Sequence, residues 1–141
     1  MLKGYQGKIL RVDLAGRTFR DEPIDEGDLL DFLGGRGLAA RYYQREIGAD
    51  TDALGPANRL IFMTGPLTAT PLFGVSRFQL ATRSPETRHY LCSNCGGDFG
   101  FRLKLAGWDG LVIDGVAAAW TWLAIVDGTV RFLDAGPLLG F

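Results

Sequence analysis

Glycine sets the terms for how this chain can fold. There are 20 glycines in 141 residues, and they cluster between short apolar runs. Glycine reaches φ > 0 cheaply and lets a backbone approach its neighbour closely. A chain punctuated this way folds as short elements joined by tight turns, or places its backbone close against a ligand.

The runs between the glycines carry two periodicities. Over Gly7–Leu14, Leu10, Val12 and Leu14 alternate with Ile9, Arg11 and Asp13, which predicts a half-buried strand. Ala15-Gly16-Arg17 is a turn, and Thr18–Glu22 returns as the second strand of a hairpin. Asp25 is placed to cap a helix carrying Leu29, Leu30, Phe32 and Leu33, closed by Gly34. A second helix is expected over Leu38–Ile47, with Gly48 as its stop. Arg59–Thr64 reads as a buried strand, Gly65–Ser76 as a long loop, and Arg77–Arg83 as another alternating strand. Phe99, Leu103 and Ala106 have the i, i+4, i+7 spacing of a short helix. Leu111–Ile113 is a brief buried strand. Trp120–Val126 and Thr129–Leu133 flank Asp127-Gly128, a strong hairpin signal. The fold class is α+β, built from antiparallel β-hairpins and sheets with a few short helices, in one domain over residues 1–141. No internal repeat, low-complexity tract or linker interrupts it.

Charge and hydropathy exclude some partners. Fifteen basic and 16 acidic residues give a net charge of −1, which lacks the basic footprint that nucleic acid or an anionic membrane requires. No apolar run approaches the roughly 20 residues needed to span a bilayer. The opening MLKGYQGKIL has no apolar signal core, so a cytoplasmic location is expected. The closing GPLLGF is apolar, where chain ends more often fray into polar residues. This predicts a piece of a longer polypeptide.

Chemistry concentrates in Cys92–Gly110, CSNCGGDFGFRLKLAGWDG. It joins an Asn, two thiols and a glycine pair to the start of a helix, whose free N–H groups suit an anion. Cys92 and Cys95 have C-x-x-C spacing, but a structural zinc site needs four ligands, and His89 is the lone histidine. The thiols are expected to pack beside a ligand or in the core. His89 is placed on a strand without partners for catalysis. Trp108, Trp120 and Trp122 are expected to pack in the core and on the sheets. Gly35-Arg36-Gly37-Leu38-Ala39-Ala40 matches G-x-G-x-x-A in letter, but a helix precedes it where the dinucleotide fingerprint needs a strand. It reads as an interhelical turn. Arg77 follows a Gly/Pro-rich loop and opens an apolar strand. Its guanidinium can fork onto a phosphate or carboxylate, or close an ion pair at the strand end.

Taken in order, these segments resemble the N-terminal domain of the aldehyde ferredoxin oxidoreductase family, the tungsten-pterin enzymes. The resemblance runs through Gly7-Lys8-Ile9-Leu10-Arg11-Val12-Asp13-Leu14, Phe32-Leu33-Gly34-Gly35-Arg36-Gly37-Leu38 and Leu54-Gly55-Pro56-Ala57-Asn58-Arg59-Leu60-Ile61-Phe62. It continues through Thr64-Gly65-Pro66-Leu67-Thr68, Ser76-Arg77-Phe78, Ser84-Pro85 and Ser93-Asn94-Cys95-Gly96-Gly97. Phe99-Gly100 and Leu103-Lys104-Leu105-Ala106-Gly107-Trp108-Asp109 complete the series.

The resemblance implies a cofactor of tungsten, or molybdenum, held by two pterins, with a [4Fe–4S] cluster whose ligands lie outside this chain. It implies oxidation of an aldehyde to a carboxylic acid, electrons passing to ferredoxin or a similar carrier, and partners in the remaining domains of the same polypeptide. By position Arg77 resembles the family's pterin-phosphate arginine, and Asn94, Cys95 and Gly96 fall in its pterin-contacting loop. No catalytic residue and no metal ligand is expected in these 141 residues, and the isolated domain is expected to be inactive and to self-associate. Three residues depart from the family pattern: Cys95 stands where many members have Ser, Cys92 where sulfur is unusual, and Ala69 where Gly is common. Two alternatives stay open. One is the same domain of a tungsten-dependent aryl-CoA reductase. The other is a stand-alone pterin-binding or assembly module.

Overall fold

The computed structural model describes residues 2–140. Its elements, in order, are β1 (Lys8–Asp13), β2 (Thr18–Pro23), α1 (Glu26–Phe32), α2 (Gly35–Glu46), β3 (Leu60–Met63), β4 (Phe78–Arg83) and β5 (Tyr90–Cys95). They continue with α3 (Phe99–Leu105), β6 (Gly110–Asp114), β7 (Thr121–Val126) and β8 (Thr129–Asp134), and a 3₁₀ turn over Gly136–Leu138 follows. Six strands form one sheet in the order β2-β1-β6-β3-β4-β5, and β7-β8 form a separate hairpin. The α+β expectation holds. All pairings are antiparallel except β1 with β6, which run parallel.

Each face of the large sheet carries a layer. On one, Ile9, Ile61, Met63, Ala81 and Val112 pack against Leu29 of α1 and Leu38, Ala39 and Tyr42 of α2. On the other, Leu10, Val12 and Leu111 meet Leu103, Trp108 and Val130, with Leu123, Ile125 and Phe132 of the hairpin alongside. Gly110 lets the first layer close. A Cβ there would lie 2.7 Å from the Phe62 carbonyl oxygen and 3.2 Å from Ile9 Cγ2, and would overlap the Met63 sulfur. That space is filled by Met63, a side chain that adapts to irregular gaps.

The turns form for local reasons. Asp25 caps α1 as expected, its side chain accepting from Gly27 N at 2.9 Å and Asp28 N at 3.3 Å. Asp127 and Gly128, at φ 49° and 74°, supply the two positive φ values of a tight hairpin turn. Ala69 sits at φ 66°, the left-handed region that favours glycine.

Five expectations need correction. β1 is interior rather than half-buried: Ile9, Leu10, Arg11 and Val12 are all buried, because β2 and β6 flank it and both faces are covered. Helix α2 begins at Gly35, so Arg36 lies in its first turn, and the reversal falls at Leu33 (φ 61°) and Gly34. His89 lies on an exposed bend before β5, not on a strand. Of the Phe99, Leu103 and Ala106 stripe only Leu103 is buried, and Trp120 and Trp122 are exposed while Trp108 alone joins the core.

Candidate functional site

The site is built at the β4–β5 edge. Register places Gln79 opposite Asn94, Ala81 opposite Cys92 and Phe78 opposite Cys95. Directly opposed residues share a face, and successive residues alternate. Arg77, Gln79, Cys92 and Asn94 therefore share the face on which Ala81 packs toward α2, while Cys95 sides with Phe78 on the other. Arg77 Nε donates to Asn94 Oδ1. Asn94 Nδ2 reaches the Phe78 carbonyl at 3.5 Å. Asn94 is thus an orienting group for the arginine, its oxygen engaged. Among the described residues the terminal nitrogens of Arg77 make no hydrogen bond, and the side chain is exposed.

Gly96 completes this corner. A Cβ at Gly96 would lie 3.7 Å from Arg77 Nη1, so a side chain there would stand over the fork the guanidinium presents. The next residue, Gly97, takes φ 83° and turns the chain toward α3. Three of the four residues singled out from sequence, Arg77, Asn94 and Gly96, are therefore together. Cys95 is set apart: it is exposed on the opposite face, its Sγ 3.6 Å from the Gly96 carbonyl oxygen.

The strand period also separates the two thiols. At a spacing of three, Cys92 and Cys95 point to opposite sides of β5, and Cys92 Sγ instead bonds Gln79 Oε1 at 3.1 Å. Asn94 and Cys95, which the resemblance put in a loop, lie in a strand that runs as far as Cys95. Among the described residues no group of three or more His, Cys, Asp or Glu side chains is gathered as a metal site. At the start of α3, Asp98 holds the N-cap position without a side-chain capping bond, which brings a negative charge to the helix end where an anion was expected.

Sequence reasoning missed three neighbours. A Cβ at Gly35 would lie 3.6 Å from Gln79 Cγ, so the first turn of α2 stands beside the Arg77–Asn94 strip. Arg36 is exposed on that turn, and its charge acts on Tyr90, four residues along β5 from Asn94. Tyr90, on the Cys92 face, packs edge-on against Tyr43 with ring centres 4.8 Å apart. Burial pushes its hydroxyl above the ordinary tyrosine range, helped by Cys92, and the Arg36 charge opposes the shift. Period-2 alternation from Arg77 would have put Gln79 on this face. Nothing in the sequence signals the approach of Arg36, because it depends on how α2 crosses the sheet.

The arrangement can be compared with known proteins. The family model described as "Aldehyde ferredoxin oxidoreductase, N-terminal domain" matches residues 9–141. This chain belongs to that family. A tungsten-containing aldehyde ferredoxin oxidoreductase of Pyrococcus abyssi is 40% identical over 137 residues, which covers 97% of this chain and 23% of that protein. An aliphatic sulfonate oxidoreductase, WOR-like subunit, of Pyrococcus furiosus is 35% identical over 139 residues, covering 96% of this chain and 22% of that one. Among solved structures, the active-site complex BamBC of benzoyl coenzyme A reductase with 1,5-dienoyl-CoA superposes with a TM-score of 0.95 at 31% identity. That match covers 99% of this chain and 21% of that chain. The chain thus spans less than a quarter of the length of these relatives, as an aldehyde ferredoxin oxidoreductase N-terminal domain. No helix among the described residues is long and apolar enough to cross a membrane.

Proposed function

We propose that this domain is the base on which a tungsten bis-pterin cofactor sits in a larger oxidoreductase, and that Arg77, oriented by Asn94 beside Gly96, holds a pterin phosphate. The carrying observation is the guanidinium itself: exposed, fixed at Nε by Asn94, its terminal nitrogens directed past a residue without a side chain. A planar fork of donors matches a phosphate, and Gly96 leaves room for the group to approach. The residues therefore fit the cofactor that the family implies. Arg36 adds positive potential, and Gln79 offers an amide on the same face.

The bound cofactor would supply the two-electron redox chemistry, with tungsten, or molybdenum, as its metal. The chain's own task is to bind and orient it. The substrate reading is an aldehyde oxidised to a carboxylic acid, with electrons leaving through a [4Fe–4S] cluster and ferredoxin or a similar carrier. The cluster, the substrate channel and the other wall of the pocket would come from further domains of the same polypeptide, in a cytoplasmic enzyme. Exposed Phe73, Leu72, Trp120 and Trp122 favour association, with those domains or, for the isolated domain, with itself.

The test is metal and pterin analysis of the full gene product purified anaerobically from its own host. Tungsten or molybdenum with two pterins per metal is expected, and Arg77→Ala lowers both. A protein free of metal and pterin overturns the reading in favour of an assembly module. The BamBC superposition favours a second enzymatic reading, an aryl-CoA reductase subunit. Assay of the loaded enzyme against aldehydes and aryl-CoA thioesters separates the two.

A further inference from the structure

A buried ion pair sits where β3 leaves the sheet. Asp109, 0% exposed, accepts through Oδ2 from the backbone N–H of Gln6 at 2.9 Å and of Gly7 at 2.7 Å. Its Oδ1 meets the ammonium of Lys104, itself 4% exposed. Lys104 Nζ also donates to the Gly65 carbonyl oxygen at 3.3 Å and lies 5.3 Å from the centre of the Tyr5 ring. The Asp109 backbone carbonyl accepts from Thr64 N at 2.9 Å and Thr64 Oγ1 at 2.7 Å. The Thr64 carbonyl in turn accepts from Gly35 N at 2.9 Å. One cluster thus fixes both the first turn of α2 and the start of the Gly65–Ser76 loop.

The far end of that loop is held by the same helix. A Cβ at Gly100 would lie 3.0 Å from the Ser76 carbonyl oxygen and 3.2 Å from Phe78 Cβ, so α3 packs its backbone directly on Ser76. Gly100 and Lys104 are four apart and share a helix face. Helix α3 therefore spans the loop as a strut, with Lys104 on Gly65 and Gly100 on Ser76, and the residue after Ser76 is Arg77.

Stability alone does not account for such a pair. Taking two charges out of water costs about as much as their attraction returns, and apolar replacements are often as stable. What an apolar pair cannot do is hold the Gly65 carbonyl.

We propose that Lys104, backed by Asp109, is a positioning residue for the cofactor face: by clamping Gly65 it sets the loop that delivers Arg77 and the α2 turn that delivers Arg36. This rests on the pterin-phosphate reading of Arg77. The test uses the full gene product expressed with tungstate. Its readouts are Tm, tungsten and pterin per chain, and amide hydrogen exchange across residues 65–76. Lys104→Met/Asp109→Asn removes both charges yet leaves an amide oxygen for the Gln6 and Gly7 N–H groups. The expected result is a Tm near wild type, faster exchange in the loop, and metal and pterin content lower by about tenfold. Wild-type content overturns the inference, and so does a content loss without faster loop exchange. If the double variant does not fold, Gly100→Ala decides: it displaces Ser76 without touching a charge, and wild-type content there overturns the inference. Arg77→Ala runs alongside. If it keeps full content, the cofactor reading falls. If it loses content while the Lys104 and Gly100 variants keep theirs, the positioning role falls alone.

Discussion

Two arginines on the same face of the sheet, one near each end of α2, are used in opposite ways. Arg11 is 6% exposed, and every nitrogen of its guanidinium is engaged. Nε meets Glu22 at 2.6 Å, Nη1 meets Asp114 at 2.9 Å, and Nη2 meets Glu46, the last residue of α2, at 2.8 Å. Arg59 joins by charge, its Nε 2.7 Å from Asp114 Oδ1 without an aligned N–H bond. Arg77 is exposed and takes a single amide oxygen. Burial opposes the charge on Arg11, but its hydrogen bonds to three carboxylates outweigh this and push its pKa up. The contrast is one of use: the saturated guanidinium of Arg11 knits β1, β2, β6 and α2 together, and that of Arg77, held at Nε, keeps its terminal donors exposed.

The largest expected effect tests the saturated end. Arg11→Met leaves Glu22, Glu46 and Asp114 clustered without their shared cation. Breaking a buried pair in this way costs about 3–5 kcal/mol, to be read from urea unfolding, and a loss under about 1 kcal/mol would mean the network is idle. The acid side follows with its sign. Burial alone would raise the Glu22 pKa, but the Arg11 hydrogen bond and charge overcome it and hold it below the ordinary value. The unfolded chain therefore takes up the proton first. The Glu22 contribution is present above the ordinary glutamate pKa of about 4.3 and is lost as pH falls through the lower folded value. In Arg11→Met that part of the acid dependence flattens.

The sequence exposes these two ends unequally. Alternation, the Asp25 cap and Asp127-Gly128 report local geometry, and most elements they mark are found within a residue or two. The long-range facts were hidden. Arg11 looks like the polar side of a half-buried strand, because its carboxylates come from β2, α2 and β6, up to 103 residues away. The parallel β1–β6 pairing has no local signature either. At the candidate site, Arg77, Asn94 and Gly96 were singled out by the family resemblance, and the β4–β5 pairing is what brings them side by side. The facing of Cys95 was not legible, because no strand was expected over Tyr90–Cys95 and in a strand a spacing of three from Cys92 reverses the face.

Two smaller effects concern the cap of α1 and the loop that leads to Arg77. Asp25→Ala removes the acceptor for Gly27 and Asp28 N–H and costs about 1 kcal/mol. Ala69→Gly relieves a left-handed alanine in the loop that leads to Arg77, for a gain of about 0.5–1 kcal/mol. Differential scanning calorimetry reads both, and a destabilised Ala69→Gly would show that the loop gains more from the methyl than it loses to strain.

The smallest stability effect carries the most information about function. Arg77 contributes one exposed hydrogen bond to Asn94 and no ion pair among the described residues, so Arg77→Ala should change unfolding free energy by no more than about 0.5 kcal/mol. In the full gene product the same change should lower tungsten and pterin content about tenfold, since the two donors proposed to fork onto a phosphate are gone. Arg77→Lys keeps the charge but loses the planar fork and the bond at Nε, and should recover only part of that content. Stability and occupancy thus move independently at Arg77, whereas at Arg11 any loss of occupancy should follow the loss of fold. A stability cost at Arg77 as large as that at Arg11 would erase the distinction, and Arg77 would then be one more strand-end arginine.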